Sequence, residues 1–359
     1  MKKGIGVWWN LAGLARGLLA VLLTLCLCGC SAFENTEIIL TTGLSGDQLF
    51  KVGSSVCTLP EAMIYANAYE EQYESVYGVE MWEHDFGGVT LEEYVKDNII
   101  AQLATIKAMT LLAEEYEVAL SEQEQADVEK AAKEYYDSLS QEEREWMNLK
   151  EEDARGLYRD HLLANRVYEE ITQDVNTEVS DDEARIITVQ QIFLKTTQEG
   201  ENGQEPMPEA EKQKVYEKAQ ELLEQISQGR EFLTLASIYN QGGQTTSTFG
   251  RGEKDSAYEE AAFALEKDQV SGILETEEGY YILKCTENFD RAATEQNKIA
   301  MVEKRRDTIF RQVYDELIAN TPSEFNTRLW DTVHFGRSFE ERTGKNFFAV
   351  YEAYFSSQE

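Results

Sequence analysis

At Thr58–Glu61, Thr90–Glu93 and Ser121–Glu124 a hydroxyl residue is followed three positions later by a glutamate. This is capping-box spacing, in which the two side chains satisfy backbone N–H groups that the first turn of a helix leaves without partners. Helical periodicity follows. After the second box Leu91, Val95, Ile99, Leu103, Ile106 and Met109 recur on one face. A further helix is expected from about Glu151 to Thr172, presenting Leu157, Leu162, Leu163 and Val167. Residues 58–178 therefore read as an all-helical lobe. In its first helix Pro60 stands in the opening turn, where its missing N–H costs little, and Tyr65, Tyr69, Tyr73 and Tyr77 recur every four residues. That stripe is a core seam with wet hydroxyl edges or, alternatively, one wall of a binding groove.

The chain has 359 residues, enough for two or three modest domains, and its 42% apolar content fits a globular protein. Its 67 acidic against 33 basic residues give a net charge of -34, which repels phosphates and gains nothing from counterion release, so no nucleic acid partner is expected. The charge is spread over helical faces such as EEYVKD and SQEEREW and reads as solvated surface rather than a cation site. No GxGxxG, P-loop, GxSxG or HExxH occurs, and the 3 histidines, His84, His161 and His334, stand apart from any serine or cysteine motif. No cofactor and no metal are expected.

Residues 1–29 contain no acid, carry Lys2, Lys3 and Arg16, and run apolar from Leu18 to Leu27, the pattern of an export signal. The run is far shorter than the roughly 20 residues of a spanning helix. It ends in the tetrad Leu27 to Cys30, LCGC, which resembles the bacterial lipobox. That resemblance implies cleavage before Cys30, a diacylglyceryl group on its sulfur and anchoring by two acyl chains. Loss of residues 1–29 leaves 30 basic and 67 acidic residues, a net -37, and only Cys57 and Cys285 besides Cys30. Those two either form a single bridge or stay unpaired and buried. Residues 30–57, strand-like at EIILTT and LFKVG, read as a tether.

From VSDDEARIITVQQIFLKT the pattern changes. Ser180 and Glu183 cap a short turn, Ile186 to Leu194 read as a strand, and TTQEGENGQEPMP reads as a linker. A helix after Pro208 reaching Gly229 is followed by the helix EFLTLASIY, the strand STFGRG, the helix AYEEAAFAL and the strands VSGILETE and GYYILKCTE. Beyond them Ile299, Val302, Ile309, Val313 and Leu317 mark one side of a long helix, and LWDTVHF and NFFAVYEAYF add apolar surface that returns to the helical lobe or, alternatively, forms an exposed arm.

The words VQQIFLK, REFLTLAS, FGRG and YEEAAFALEKDQVSGILETEEGYYILK resemble, over about a hundred residues, a parvulin-type peptidyl-prolyl isomerase domain. The chain's layout is similar to that of extracytoplasmic foldases of the PrsA and SurA kind. The resemblance implies an α+β fold: a mainly helical chaperone lobe from both chain ends, with a parvulin domain inserted at 182–289 as a four-stranded antiparallel sheet wrapped by helices, and 290–359 packing on the lobe. It implies rotation about X–Pro amides in unfolded exported proteins, on the outer face of the cytoplasmic membrane. The family's two pocket histidines match Gln191 and Tyr281, and its cysteine or aspartate falls near Gly242. Phe249, Tyr258 and Phe263 keep aromatic character for gripping proline, and Lys254 stands where a methionine is common. By strand alternation Gln191, Phe193 and Lys195 share one face, as do Tyr281, Leu283 and Cys285. Pairing of the two strands would then let Tyr281 hydrogen-bond to Gln191. The alternative is that Tyr281 merely packs in a pocket that is no longer catalytic. Glu199, Glu201 and Glu205 after the first strand should repel phosphopeptides. Three functional readings follow: an active foldase, a holdase whose parvulin unit only binds peptides, and a structural lipoprotein of the envelope.

Overall fold

The structure is a computed structural model that describes residues 43–200, 203–337, 339 and 342–356. The signal segment, Cys30 and EIILTT lie outside the described residues. The chain divides into two compact units, one built from residues up to Asp174 and from Ile309 onward, the other from Val175–Thr308.

The first unit opens with strands rather than a tether alone. β1 (Gln48–Val52) and β2 (Ser55–Thr58) form an antiparallel hairpin that turns at Gly53, whose φ of +57° suits glycine. α1 (Leu59–Tyr77) starts where the Glu61 carboxylate accepts hydrogen bonds from the Thr58 N–H at 2.7 Å and its hydroxyl at 3.1 Å. A single-turn 3-10 helix covers Val79–Glu83. α2 (Leu91–Glu115) carries the full box: the Thr90 N–H donates to Glu93 at 2.8 Å and the Glu93 N–H to the Thr90 hydroxyl at 3.2 Å. α3 (Glu122–Ser138), α4 (Gln141–Met147) and α5 (Glu151–Thr172) complete the series. A box at Ser140 and Glu143 opens α4 within the acidic run that the sequence presents as plain surface.

All six periodic positions of α2 are buried, against partners such as Ile64, Leu157 and Val167. Of the tyrosine stripe, Tyr65 is buried and donates or accepts at 2.6 Å with His161, whereas Tyr77 is exposed. The stripe is thus a seam at one end only. The core also holds charge: the Lys107 ammonium lies 2.6 Å from Glu61 and 2.8 Å from Asp160, all three buried.

The second unit begins with a short turn of helix, α6 (Asp181–Ala184), capped by the Ser180 hydroxyl, and then β3 (Ile187–Lys195). The stretch expected to be a linker is instead a hairpin of β4 (Thr197–Gly200) and β5 (Gly203–Pro206). Antiparallel pairing satisfies the backbone of this Gly- and Glu-rich segment while its side chains stay in water. α7 (Glu209–Ser227), α8 (Phe232–Tyr239), β6 (Thr246–Phe249), α9 (Ser256–Phe263), β7 (Leu274–Glu275) and β8 (Gly279–Glu287) follow. The sheet order is β6-β3-β8-β7, antiparallel throughout. Because side chains alternate across a strand, the sheet has two distinct faces. Ile192, Leu194 and Ile282 pack under Leu222 of α7 and Phe232 and Leu235 of α8. Val189, Leu283 and Cys285 face the other way, toward Phe249, Tyr258 and Phe263.

α10 (Arg291–Asn320) begins in this unit and ends in the first. β9 (Ser323–Phe325) then pairs with β1, giving a β2-β1-β9 sheet, and α11 (Thr327–Trp330) and α12 (Phe347–Phe355) follow. Phe347 of α12 is buried and stacks on Tyr158 at 4.2 Å, so the C-terminal segments are core material of the first unit. Cys57 and Cys285 are both free and buried; no bridge joins them. Among the described residues no helix is long and apolar enough to cross a membrane.

Candidate active site

The β3–β8 register decides which side chains meet. Val189 pairs with Cys285, Gln191 with Leu283 and Phe193 with Tyr281. Gln191 and Tyr281 share a sheet face but stand one pair apart along it, and the hydrogen bond expected between them is replaced by others. The Tyr281 ring lies against Phe193, its direct cross-strand partner, with centroids 4.4 Å apart and planes at 24°. Gln191 accepts instead from the Tyr258 hydroxyl at 2.7 Å, and its amide nitrogen donates to the Gln244 carbonyl at 3.0 Å.

Tyr258, presented by α9, meets the Tyr281 ring edge-on at 5.2 Å and 85°. Phe249 is delivered by β6, whose register sets it opposite Ile187 and so on the same face, 5.9 Å from Tyr258. Phe249, Tyr258 and Tyr281 thus form one run of packed rings on this face, Phe249 and Tyr258 buried and Tyr281 half-buried at its end. The Lys254 ammonium stands 5.4 Å from the Phe249 ring centroid, on the exposed loop before α9.

Two of the expected positions behave differently. Phe263 touches Phe249 edge-on at 5.9 Å, but the guanidinium groups of Arg185 and Arg251 cover its ring at 4.9 and 4.4 Å. Arg185 also donates to the Phe263 carbonyl at 3.0 Å, and Arg251 grips both carboxylate oxygens of Asp182 at 3.1 Å. Phe263 therefore backs the run of rings. Gly242 packs on Phe193, where a Cβ would approach the ring to 3.3 Å; the large aromatic at 193 takes the room that a side chain at 242 would need.

Asn240, which the sequence gives no reason to single out, holds this edge together. Its side-chain oxygen accepts from the Phe193 N–H at 2.9 Å, while the Gln241 N–H donates to the Phe193 carbonyl at 2.8 Å. The only local sign is an asparagine just past a helix.

Burial pushes the Tyr281 phenol above its ordinary pKa, helped by the carboxylates of Glu278 and Asp255. Burial likewise raises Tyr258, with Tyr281 adding to it. Both are neutral hydroxyls at any physiological pH. The Tyr258 hydroxyl is engaged by Gln191; among the described residues that of Tyr281 has no hydrogen-bond partner. Among those residues there is also no group of three or more His, Cys, Asp or Glu placed to hold a metal ion. Glu199 and Glu205 are on the β4–β5 hairpin, Glu205 exposed along with Glu199, and Glu201 lies outside the described residues. A run of aromatic rings whose half-buried end carries one unspent neutral donor can meet an apolar ring and offer a hydrogen bond to a group beside it.

Residues 192–287 match the family described as "Rotamase: PPIC-type PPIASE domain", a match that begins one residue after Gln191 and includes Tyr281. Over 288 residues the chain is 24% identical to a foldase protein PrsA from Caldanaerobacter subterraneus subsp. tengcongensis, covering 77% of this chain and 86% of that relative. It is 30% identical over 133 residues to foldase protein PrsA 3 from Bacillus cereus, covering 33% of this chain and 47% of that relative. A crystal structure of the peptidylprolyl isomerase PrsA from Bacillus cereus aligns over 89% of this chain and 99% of its own, at 17% identity and a TM-score of 0.32. Residues 192–287 are a PPIC-type rotamase domain, and over 77% of its length the chain is similar to a PrsA foldase.

Proposed function

We propose that the chain is an extracytoplasmic foldase, held on the outer face of the cytoplasmic membrane by a lipid on Cys30, that binds unfolded exported proteins and catalyses cis/trans isomerisation of their X–Pro bonds. The observation that carries this reading is the run of packed rings Phe249, Tyr258 and Tyr281 against the β3–β8 strands, within the rotamase domain.

The chemistry breaks no bond. Rotation about the amide must cross roughly 18–20 kcal/mol and, uncatalysed, takes tens to hundreds of seconds. The proline ring is taken at the Tyr281 end of the aromatic run, whose buried floor is Phe249 and Tyr258. As the C–N bond twists, resonance is lost and the nitrogen regains its lone pair, so a donor aimed at it is better matched to the twisted amide than to the planar one. The neutral Tyr281 hydroxyl fills that role, and Gln191 positions Tyr258 by accepting the hydrogen bond of its hydroxyl. The first unit, with its large helical surface, takes the surrounding unfolded chain.

One observation favours the holdase reading beside it: both ends of the Gln191 amide are already bonded, so of the two positions that replace the family's histidines only Tyr281 has an unspent polar group. Exchange measured by NMR on a short prolyl peptide separates the two. Accelerated cis/trans exchange is expected; exchange unchanged at high protein concentration, together with suppressed aggregation of an unfolded protein, moves the conclusion to the holdase. Failure to suppress aggregation as well would leave a structural lipoprotein.

A further inference from the structure

Exposed large hydrophobic side chains are concentrated in one short stretch of the first unit. Val76, Tyr77 and Phe86 are 68%, 59% and 60% exposed, and Val79, Val89 and Tyr94 are exposed with them. This exposure is built in. The Asp85 carboxylate accepts N–H bonds from Gly87 and Gly88, whose φ angles of +99° and +107° suit glycine, and the Phe86 N–H donates to the Val89 carbonyl at 3.0 Å. The resulting tight turn carries Phe86 and Val89 outward. Beneath the patch the buried Trp82 is wedged against Tyr73 at 5.7 Å and Phe335 at 4.8 Å, and Tyr77 lies 6.4 Å from Tyr73.

The charge around it is one-sided. Glu80, Glu83 and Asp85 are exposed beside these residues, and among the described residues none is in an ion pair. Lys96 is the only Lys or Arg between residues 70 and 97, and its ammonium is turned away to the carbonyls of Trp330 at 2.9 Å and Val333 at 2.8 Å. From the C-terminal segment Arg342 is spent on Glu70 and Glu74, and Arg337, next to the Gly336 that packs on Val79, pairs with Glu142. An aromatic platform beside three carboxylates without basic partners, Glu80, Glu83 and Asp85, disfavours acidic chains and anionic lipid surfaces. It suits Lys and Arg, whose stems cover apolar surface while their heads reach ring faces and carboxylates. We propose that this patch docks unfolded polypeptide segments in which Lys or Arg alternates with apolar residues. The proposal rests on the foldase reading and adds a charge preference and a place for it.

Fluorescence anisotropy of the full chain with a labelled peptide of about twelve residues, alternating Lys and Leu, tests it against a counterpart carrying Glu for Lys. Expected is at least tenfold tighter binding of the cationic peptide, falling several-fold as salt rises from about 50 to about 300 mM. E80Q/E83Q should weaken the cationic peptide at least threefold, and F86S/V89S at least tenfold, with unchanged melting curves. Equal affinity for both peptides, or no effect of either double variant, overturns the proposal. So does a wild-type dimer that F86S/V89S dissociates, since the patch is then covered by a second copy. Aggregation suppression of an unfolded protein is the independent control. If the wild-type chain suppresses none, the foldase reading itself fails; if it does and the peptides show no charge preference, only the docking inference fails.

Discussion

Tyr281 and Gln191 stand where the resemblance expects a pair of histidines, yet the structure gives them unequal tasks. Tyr281 has the unspent hydroxyl; Gln191 is tied to Tyr258 and Gln244. Tyr281→Phe should therefore lower kcat/KM for a prolyl peptide about five- to tenfold, the worth of one hydrogen bond of about 1 kcal/mol, with an unchanged melting curve. Gln191→Ala leaves the buried Tyr258 hydroxyl without its acceptor and should cost about 1–3 kcal/mol in urea unfolding, a loss that Tyr258→Phe in the same chain largely restores. A wild-type rate in Tyr281→Phe would remove the hydroxyl from the mechanism. The aromatic positions of this site were legible as words in the sequence. What was not legible is the offset between Gln191 and Tyr281, because register is fixed by pairing across about ninety residues and includes an irregularity between Thr188 and Val189. The arginine cover on Phe263 was equally hidden, since Arg185 and Arg251 reach that ring only through the fold.

Elements with local signals were readable, and those that depend on distant partners were not. Capping needs only residues three apart, so the starts of α1, α2 and α3 could be placed from sequence. The same signature at Ser140 and Glu143 was masked by the acidic run around it, and the β4–β5 hairpin by its glycines and glutamates. Lys107 is the sharper lesson. Its helix reads as an apolar stripe with charge elsewhere, yet this one ammonium ties α2 to Glu61 of α1 and Asp160 of α5 inside the core. Burial lowers its pKa, but the two carboxylates more than reverse that, so it stays charged. Lys107→Met keeps the volume but takes the shared ammonium from two buried carboxylates, leaving Glu61 to Thr58 and Asp160 to Arg159. It should cost about 3–5 kcal/mol, seen as a lower urea midpoint with unchanged slope. A loss under about 1 kcal/mol would mean that the triad relaxes into water.

For the whole molecule, two buried groups of the first unit titrate in opposite senses. Burial raises Glu70 to about 7 despite Arg342, while burial lowers His161 to about 4. From pH about 4.5 to 7 the folded chain keeps a proton on Glu70 that the unfolded chain has released, so this group's contribution falls as pH rises. From about 6.5 down to 4 the unfolded chain takes a proton that the folded His161 refuses, so its contribution falls as pH drops. Each is worth about 3 kcal/mol and they oppose each other across most of that window. The wild-type melting temperature should be nearly flat there. Glu70→Gln should lose stability toward acid and His161→Gln toward neutrality; a wild-type slope as steep as either variant's would refute the balance. At the same scale, Cys30→Ser should shift the protein from the membrane to the soluble fraction, and persistence on membranes would rule out the lipid. The pairing of Thr188 with Glu287 also has a bearing on ancestry. A module whose two ends are neighbours is a cassette: it can be deleted, duplicated or traded between genes while the host scaffold closes over the gap, which is how a lineage could keep the holding body and lose or rewrite the rotamase.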